Sequence, residues 1–497
     1  MAVKVINKLI EAIWLMVVFF LPLYFAVFLP TNNVFELNKL ILFKILVLLL
    51  LFLTLIKFYN SLVPSSTLSQ SAGHEKPFAL RLQVAPGASN VKILTIPLIF
   101  ISVLIAVSLF SINRGISLYG SYNRQLGLIS CIYFFLFFIL LLININTKEQ
   151  IARIIKTGVL ASLIVSIYGL VQAAGYDPLL WSESTELRAT STFGQPNLLA
   201  MYLLLVMPLG LYLFFGAKKL FLKLGYLFIF FTNLTCLFFT YSLSGWVGLL
   251  GGIFITGAIY FLSLPPLERG VGGVRNIIKG INPLYPPFEG GQTPLSLLQK
   301  RGAGGLIFNK RNFIITVSAL IVCIALVAMV IKIQNKWVFQ ARVSSLINLQ
   351  SGSLASRYNF WKASWQAILK KPLLGYGPET QSEVLIGYYQ KDWGVYENVN
   401  VRPDRAHNLF LDILLTTGIV GLVAYMALLY LFFKLLFGII KNKPEFKGLA
   451  YCFLFALVNY LLALQLNFTF VVSEVYFWLY LALVYIIHFK LNNDAEI

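Results

Sequence analysis

The chain holds three histidines, and one of them stands where chemistry is plausible. His74 falls in a loop rich in small residues, and His488 lies near the end of an apolar run. His407 instead sits in Arg402-Pro-Asp-Arg-Ala-His-Asn-Leu, directly ahead of a strongly apolar stretch. A lone histidine at such a boundary is more often structural than catalytic. Its neighbours Arg402 and Arg405 change that balance: like charge disfavours imidazolium and leaves a neutral ring available as a general base near pH 7. Asp404 or Asp412 could orient the ring, and the sequence does not choose between them. The second constituent is arginine, at Arg114, Arg124, Arg188, Arg357, Arg402 and Arg405. Guanidinium is always charged and grips phosphate oxygens in a planar fork.

What must position these groups is a membrane. Hydrophobic residues make up 59% of the 497 residues and charged residues 12%, and the mean hydropathy is +0.81. A soluble fold could not hide that much apolar surface, and runs of about 20 apolar residues match a helix that crosses the hydrocarbon core. The runs are continuous and rich in Leu, Ile and Phe, whereas barrel strands would be short and alternating. The fold class is therefore all-α, a polytopic membrane protein of about 12 spans. They are predicted at 9–29, 38–56, 93–112, 126–145, 152–174, 197–216, 222–241, 245–264, 312–333, 408–437, 448–466 and 470–490. The seventh and eighth are joined only by Ser242, Leu243 and Ser244, which implies a tight hairpin. The N-terminal apolar run outlasts a signal-peptide core and lacks a small-residue cleavage site, so it reads as a retained first helix.

The net charge of +20 invites a nucleic-acid reading, but the basic residues sit in short connections, where they set topology. With the N-terminus inside, inner connections carry Lys148/Arg153/Lys156, Lys218/Lys219/Lys223 and Lys441/Lys443/Lys447. Outer ones carry only Lys39, Arg114, Arg124 and Arg188, and 175–187 is acidic through Asp177, Glu183 and Glu186. Both termini are expected in the cytoplasm. Residues 1–333 then hold nine spans with flexible cytoplasmic insertions at about 57–92 and 265–311. Residues 334–407 form a large extracytoplasmic loop, and 408–497 hold three more spans and a tail. Within the loop, Phe360, Trp361, Ser364, Trp365 and Ile368 follow helical spacing over 356–369, with Lys370-Lys371-Pro372 as the stop, suiting a helix that lies at the membrane surface. Cys131, Cys236, Cys323 and Cys452 fall inside apolar runs and read as packing residues. Several arginines around an outer hollow would suit a lipid-linked diphosphate; the plainer alternative is that some of them merely meet phospholipid headgroups.

Three stretches carry a resemblance. Arg188-Ala-Thr-Ser-Thr-Phe-Gly-Gln-Pro-Asn, Arg357-Tyr-Asn-Phe-Trp-Lys-Ala-Ser-Trp through Lys-Pro-Leu-Leu-Gly-Tyr-Gly, and above all Arg405-Ala-His-Asn-Leu-Phe-Leu-Asp through Thr-Thr-Gly-Ile-Val-Gly-Leu resemble signatures of the O-antigen ligase/polymerase superfamily. Gly120-Ser-Tyr-Asn-Arg-Gln-Leu-Gly is a weaker fourth. The resemblance implies a metal-independent, inverting glycosyltransferase of the bacterial inner membrane that needs no cofactor. Its donor would be an undecaprenyl-diphosphate-linked glycan, and its acceptor a hydroxyl on a lipid, a sugar or, in a subclass, a protein. His407 would be the base, Arg357 would hold the diphosphate, and Arg405, Arg188 and Arg124 would be weaker members of the same anionic site. A polymerase that extends the lipid-linked glycan shares these motifs. A transporter, a label some relatives carry, would show ionisable or broken spans near the midplane, whereas here polar groups gather at the outer face. One departure stands out: where the family often has Ser-Arg-Ser/Gly, this chain reads Ser242-Leu243-Ser244.

Overall fold

The computed structural model describes residues 2–26, 33–62, 91–177, 179, 188–262, 353–388 and 404–491. The predicted span 312–333, the insertion at 265–311, most of that at 57–92 and residues 334–352 and 389–403 of the large loop lie outside the described residues, with His74, Cys323 and Arg402 among them. No strand occurs among the described residues. In chain order the helices are α1 (Ala2–Leu23), α2 (Glu36–Leu62), α3 (Val91–Leu109), the short α4 (Arg114–Tyr119), α5 (Leu128–Asn144), α6 (Lys148–Ala173) and α7 (Pro196–Gly216). They continue with α8 (Leu220–Phe239), α9 (Leu243–Leu262), α10 (Ser353–Lys370), the short α11 (Gln381–Ile386), α12 (Leu409–Asn442), α13 (Lys447–Ala463) and α14 (Val471–Phe489).

Among the described residues nine helices are long and apolar enough to cross a membrane, and α3 and α5 are apolar but shorter. Each coincides with a predicted span, although α1 starts at Ala2 and α12 runs on to Asn442. The added residues, 2–8 and 438–442, include Lys4, Lys8 and Lys441, a residue type that favours helix. The chain is thus an all-helical, polytopic membrane protein in its described part. Burial sorts the helices: the span in α14 is 89% buried and that in α7 83%, whereas α9 is 22% buried and faces outward. The central helices bring tyrosines whose hydroxyls need partners in a waterless interior. Tyr476 donates to the Val18 carbonyl and Tyr480 to that of Leu205, both at 3.0 Å, which pins α14 to α1 and α7.

The connections gather at two ends. One end is basic: Lys148 pairs with Glu445, Arg153 with Glu11, and Lys490 reaches the carbonyl of Leu142. At the other end lie the α1–α2, α3–α5, α8–α9 and α13–α14 connections, and the segment bearing α10 and α11 meets the α3–α5 connection there. Asn33 donates to the Tyr122 carbonyl, the Ile112 amide to that of Tyr376, and the Val471 amide to Glu36.

Helix α10 covers the predicted 356–369 and ends at Lys370. Its buried face, Phe360, Ala363, Ala367 and Ile368, packs on Val384 and Leu385 of α11 and Leu415 of α12, while Trp365 turns outward. The chain after α10 is then stitched to a break in α12. Gly418 adopts φ 62 and ψ −168, which frees backbone groups on either side. Tyr376 and Gly377 amides donate to the Leu415 and Thr416 carbonyls at 3.1 and 2.8 Å, and the Ile419 amide donates to Pro372 at 2.8 Å. A Cβ at Gly418 would collide with the Leu373 carbonyl oxygen in a backbone conformation that L side chains avoid. Gly418→Ala is therefore expected to destabilise the protein by roughly 1–3 kcal/mol, read as a lower unfolding temperature in detergent; an unchanged temperature would show that the stitch carries no stability.

Candidate active site

The turn ahead of α12 is tightly determined. Asn408 caps the helix, its side chain accepting from the Phe410 and Leu411 amides at 3.1 Å, and Asp412 reaches back to accept the Ala406 amide at 2.9 Å. The Leu409 amide donates to the Leu464 carbonyl and the Asn408 side chain to that of Gln465, which ties the turn to the end of α13. Held from both sides, His407 adopts φ +53, an uncommon backbone conformation for a non-glycine residue. Such strain persists only where the surroundings over-determine it, and it clusters at functional positions.

The His407 ring lies between two phenylalanines. Phe360 of α10 stacks on it with centroids 5.9 Å apart, and Phe468 of the α13–α14 connection meets it edge-on at 5.1 Å. Phe468 also carries the guanidinium of Arg124 on its face at 3.9 Å and that of Arg405 at 5.6 Å. Arg124 in turn donates through Nε and Nη2 to one oxygen of Asp404, at 2.9 and 2.5 Å. The other Asp404 oxygen stands 3.8 Å from Nε2 of His407, too far for a hydrogen bond, and Nδ1 of the ring has no hydrogen-bond partner among the described residues. Asp404, not Asp412, is thus the carboxylate facing the ring.

The electrostatics follow from this packing. Burial pushes the His407 pKa down to about 4; Asp404 opposes the shift, and the charges of Arg357, Arg124 and Arg405 add to it. The ring is neutral at ordinary pH. Burial works against ionisation of Asp404, but the charges of Arg124, His407 and Arg405 outweigh it and hold the carboxyl below its usual range. Arg405 is 5% exposed and paired with Glu379, which is 6% exposed; burial disfavours the guanidinium charge, yet Glu379, Asp412 and Asp404 keep it above its ordinary value. The second oxygen of Glu379 accepts from the Ser121 amide and hydroxyl at 3.2 and 2.8 Å. One carboxylate thereby joins the His407 turn, the Gly377–Thr380 segment and the loop that bears Arg124.

Two findings from known proteins bear on this cluster. A family model described as O-antigen ligase matches residues 298–426. A Rickettsia conorii protein provisionally named a polysaccharide ligase is 27% identical over 162 residues, which is 31% of this chain and 38% of that relative's length. Together they support the O-antigen ligase family. The stretch matched by the O-antigen ligase model contains α10, α11, Glu379, the His407 turn and the Gly418 break, whereas Arg124 and Phe468 come from outside it.

Of the residues singled out in the sequence, His407, Arg124 and Arg405 meet around Phe468, and Arg357, 7% exposed on α10, is near enough for its charge to act on the ring. Arg188 is held elsewhere at the same end: its Nε and Nη2 donate to the Thr240 carbonyl at 3.0 and 2.9 Å. That carbonyl lies two residues before Ser242-Leu243-Ser244. Arg114 is exposed at the start of α4. Sequence reasoning missed Glu379 and Phe468. Glu379 follows directly on the Gly375-Tyr-Gly-Pro stretch and is one of 19 acidic residues in the whole chain, a signal that was legible. Phe468 is one of 42 phenylalanines and carried no signal.

Proposed function

We propose that this chain transfers a glycan from undecaprenyl diphosphate to an acceptor hydroxyl at the extracytoplasmic face, with His407 as general base. The observation that carries the reading is a neutral imidazole inside a group of arginines, at the end of the bundle opposite the basic connections. Lys-rich connections favour the cytoplasm, which would put the His407 end outside and both termini inside.

In this reaction His407 takes the proton of the acceptor hydroxyl as its oxygen attacks the anomeric carbon. The new glycosidic bond forms as the bond to the diphosphate breaks, the lipid diphosphate leaves with the electron pair, and the configuration inverts. Guanidinium groups meet the charge that develops on the leaving group. A base with a pKa near 4 is weak at neutral pH, but the arginines contribute to that low value. A bound diphosphate neutralises them and lets the imidazole become more basic at the moment it is needed. Arg188, half-buried and bonded to carbonyls, supports the donor side only as a positioning group in this scheme.

The test is transfer by purified protein from a lipid-diphosphate glycan, with a core-sugar lipid and a second lipid-linked glycan offered as acceptors. Transfer to the first makes the protein a ligase and to the second a polymerase; transfer to neither overturns the proposal. Arg357→Lys should lose the fork's charge-assisted hydrogen bond, about 1.5–3 kcal/mol, and so slow transfer roughly 10- to 100-fold. Near-normal turnover would place the phosphates elsewhere.

A further inference from the structure

Helix α10 has two apolar sides. One, with Phe360, Ala363 and Ala367, packs on α11 and α12. On the opposite side Tyr358, Trp365 and Leu369 fall within a narrow arc of the helix and are 66%, 52% and 64% exposed. The chain beyond α10 continues the patch with Leu373, 66% exposed. A helix that turned this side to water would carry polar residues there, and a contiguous run of large exposed apolar side chains marks a surface that meets something.

What it meets follows from α12. No residue of α12 from Leu409 to Gly418 is exposed, because this part lies under α10, with Leu411, Leu414 and Leu415 in the cluster between the two helices. Exposure begins at Ile419 and Val420 and recurs at Val423, Met426 and Tyr430, the helical spacing of a lipid-facing stripe. The first two are the residues to which the chain after α10 is bonded: the Ile419 amide donates to Pro372 at 2.8 Å and the Val420 amide to Leu373 at 3.3 Å. The patch on α10 therefore runs without a gap into the stripe on α12.

Length sets the depth of this junction. Helix α12 has 34 residues, whereas about 20 cross the hydrocarbon core. Counted from Lys441 at the basic end, the core ends close to Gly421, within a turn of the point where the chain after α10 is attached. Lys362, Lys370 and Lys371 stand exposed around the patch. Aromatic and aliphatic side chains bordered by lysine are the composition of a helix that lies in the headgroup layer.

We propose that the outward side of α10 docks on the phospholipid headgroup layer at the His407 end of the bundle, with Trp365 and Leu369 among the upper acyl chains and the three lysines at lipid phosphates. Helix α10 also carries Arg357 and Phe360, and Phe360 stacks on His407, so the docking fixes the site at phosphate depth. Under the transferase reading that is where the donor's diphosphate lies; the docking itself does not need that reading.

The probe is phosphatidylcholine brominated either near the headgroup end or near the methyl end of one acyl chain, in nanodiscs that each hold one copy of the full chain. Trp365 is read as the emission that Trp365→Phe removes. Bromine near the headgroup should quench it most, bromine near the methyl end less, and aqueous iodide least. The double variant Leu369→Glu/Leu373→Glu alters two exposed positions, so the unfolding temperature in detergent should stay unchanged while Trp365 loses bromine quenching and gains iodide quenching. Stronger quenching by iodide than by bromine in the natural chain would mean that this side lies in water, and quenching by neither would mean that protein covers it; each overturns the docking. Bromine quenching that survives in the double variant overturns it as well, since the patch would not be what holds the helix. Quenching is read without donor or transfer, so its outcome does not depend on the transferase reading. In a chain that does transfer, the double variant should lose turnover; full turnover with altered quenching would remove the link between docking and the site.

Discussion

Replacing His407 by asparagine should lower glycan transfer by roughly 10²–10⁴-fold without unfolding the protein. Asparagine is the informative replacement because the residue sits at φ +53, where Asn is tolerated far better than Ala, so lost activity is not confounded with backbone strain. The amide keeps hydrogen-bonding capacity between Phe360 and Phe468 but takes no proton. Measured turnover within a few-fold of the natural chain would remove His407 from the mechanism. The pH dependence gives a second, independent reading. The free protein's pKa near 4 should appear as the acid limb of kcat/KM, because that ratio reports the unliganded state. With donor bound, the arginine charges that help depress the imidazole are neutralised, so the acid limb of kcat should lie at higher pH. Coincident limbs would mean that no anion reaches these arginines. Stability carries the same signature: the folded pKa lies below the ordinary 6.5, so the unfolded chain binds the extra proton between about 6.5 and 4. The native state should therefore weaken as pH falls through that window, and His407→Asn should flatten this contribution.

Which parts of this arrangement were legible in the sequence follows from how local their causes are. A membrane span needs only length and apolarity in one stretch; nine of the eleven described helices that match predicted spans show both, and α3 and α5 are apolar but shorter. The amphipathic spacing of α10 was equally local, although its apolar face settled on α11 and α12, leaving Trp365 outward. His407 and Arg405 were visible because they are two residues apart. The pairing of Arg124 with Asp404 joins residues 280 positions apart, and no spacing rule reaches across that gap. Gly418 stands in the sequence only as part of the Thr-Thr-Gly-Ile-Val-Gly stretch; its role appears once the Pro372–Gly377 segment lies against it. Arg188 was read for its charge, and the structure spends much of that charge on the carbonyls that close α8. A guanidinium's partner, unlike a helix, is decided by tertiary contact.

The contact with most at stake for the fold of the site is Glu379–Arg405. Glu379→Ala should cost about 3–5 kcal/mol, the scale for removing one partner of a buried ion pair and leaving the other charge uncompensated. The Arg405 guanidinium would then sit nearly enclosed, with Asp412 and Asp404 as its remaining opposite charges. The Ser121 amide and hydroxyl would lose their acceptor in the same step, loosening the loop that presents Arg124. Transfer should fall along with unfolding temperature, since Arg124 and the His407 turn share this anchor. Backbone strain is a competing cause, because Glu379 itself adopts φ +63. Glu379→Gly relieves that strain yet removes the carboxylate, so it should be as damaging as alanine if the ion pair matters and milder if strain does. The double variant Glu379→Ala/Arg405→Ala decides the remaining question. If the damage comes from a stranded buried charge, removing both partners should cost clearly less than the two single losses added together. Strict additivity would mean that the two side chains act independently, and the idea of one carboxylate holding three segments around His407 would fall.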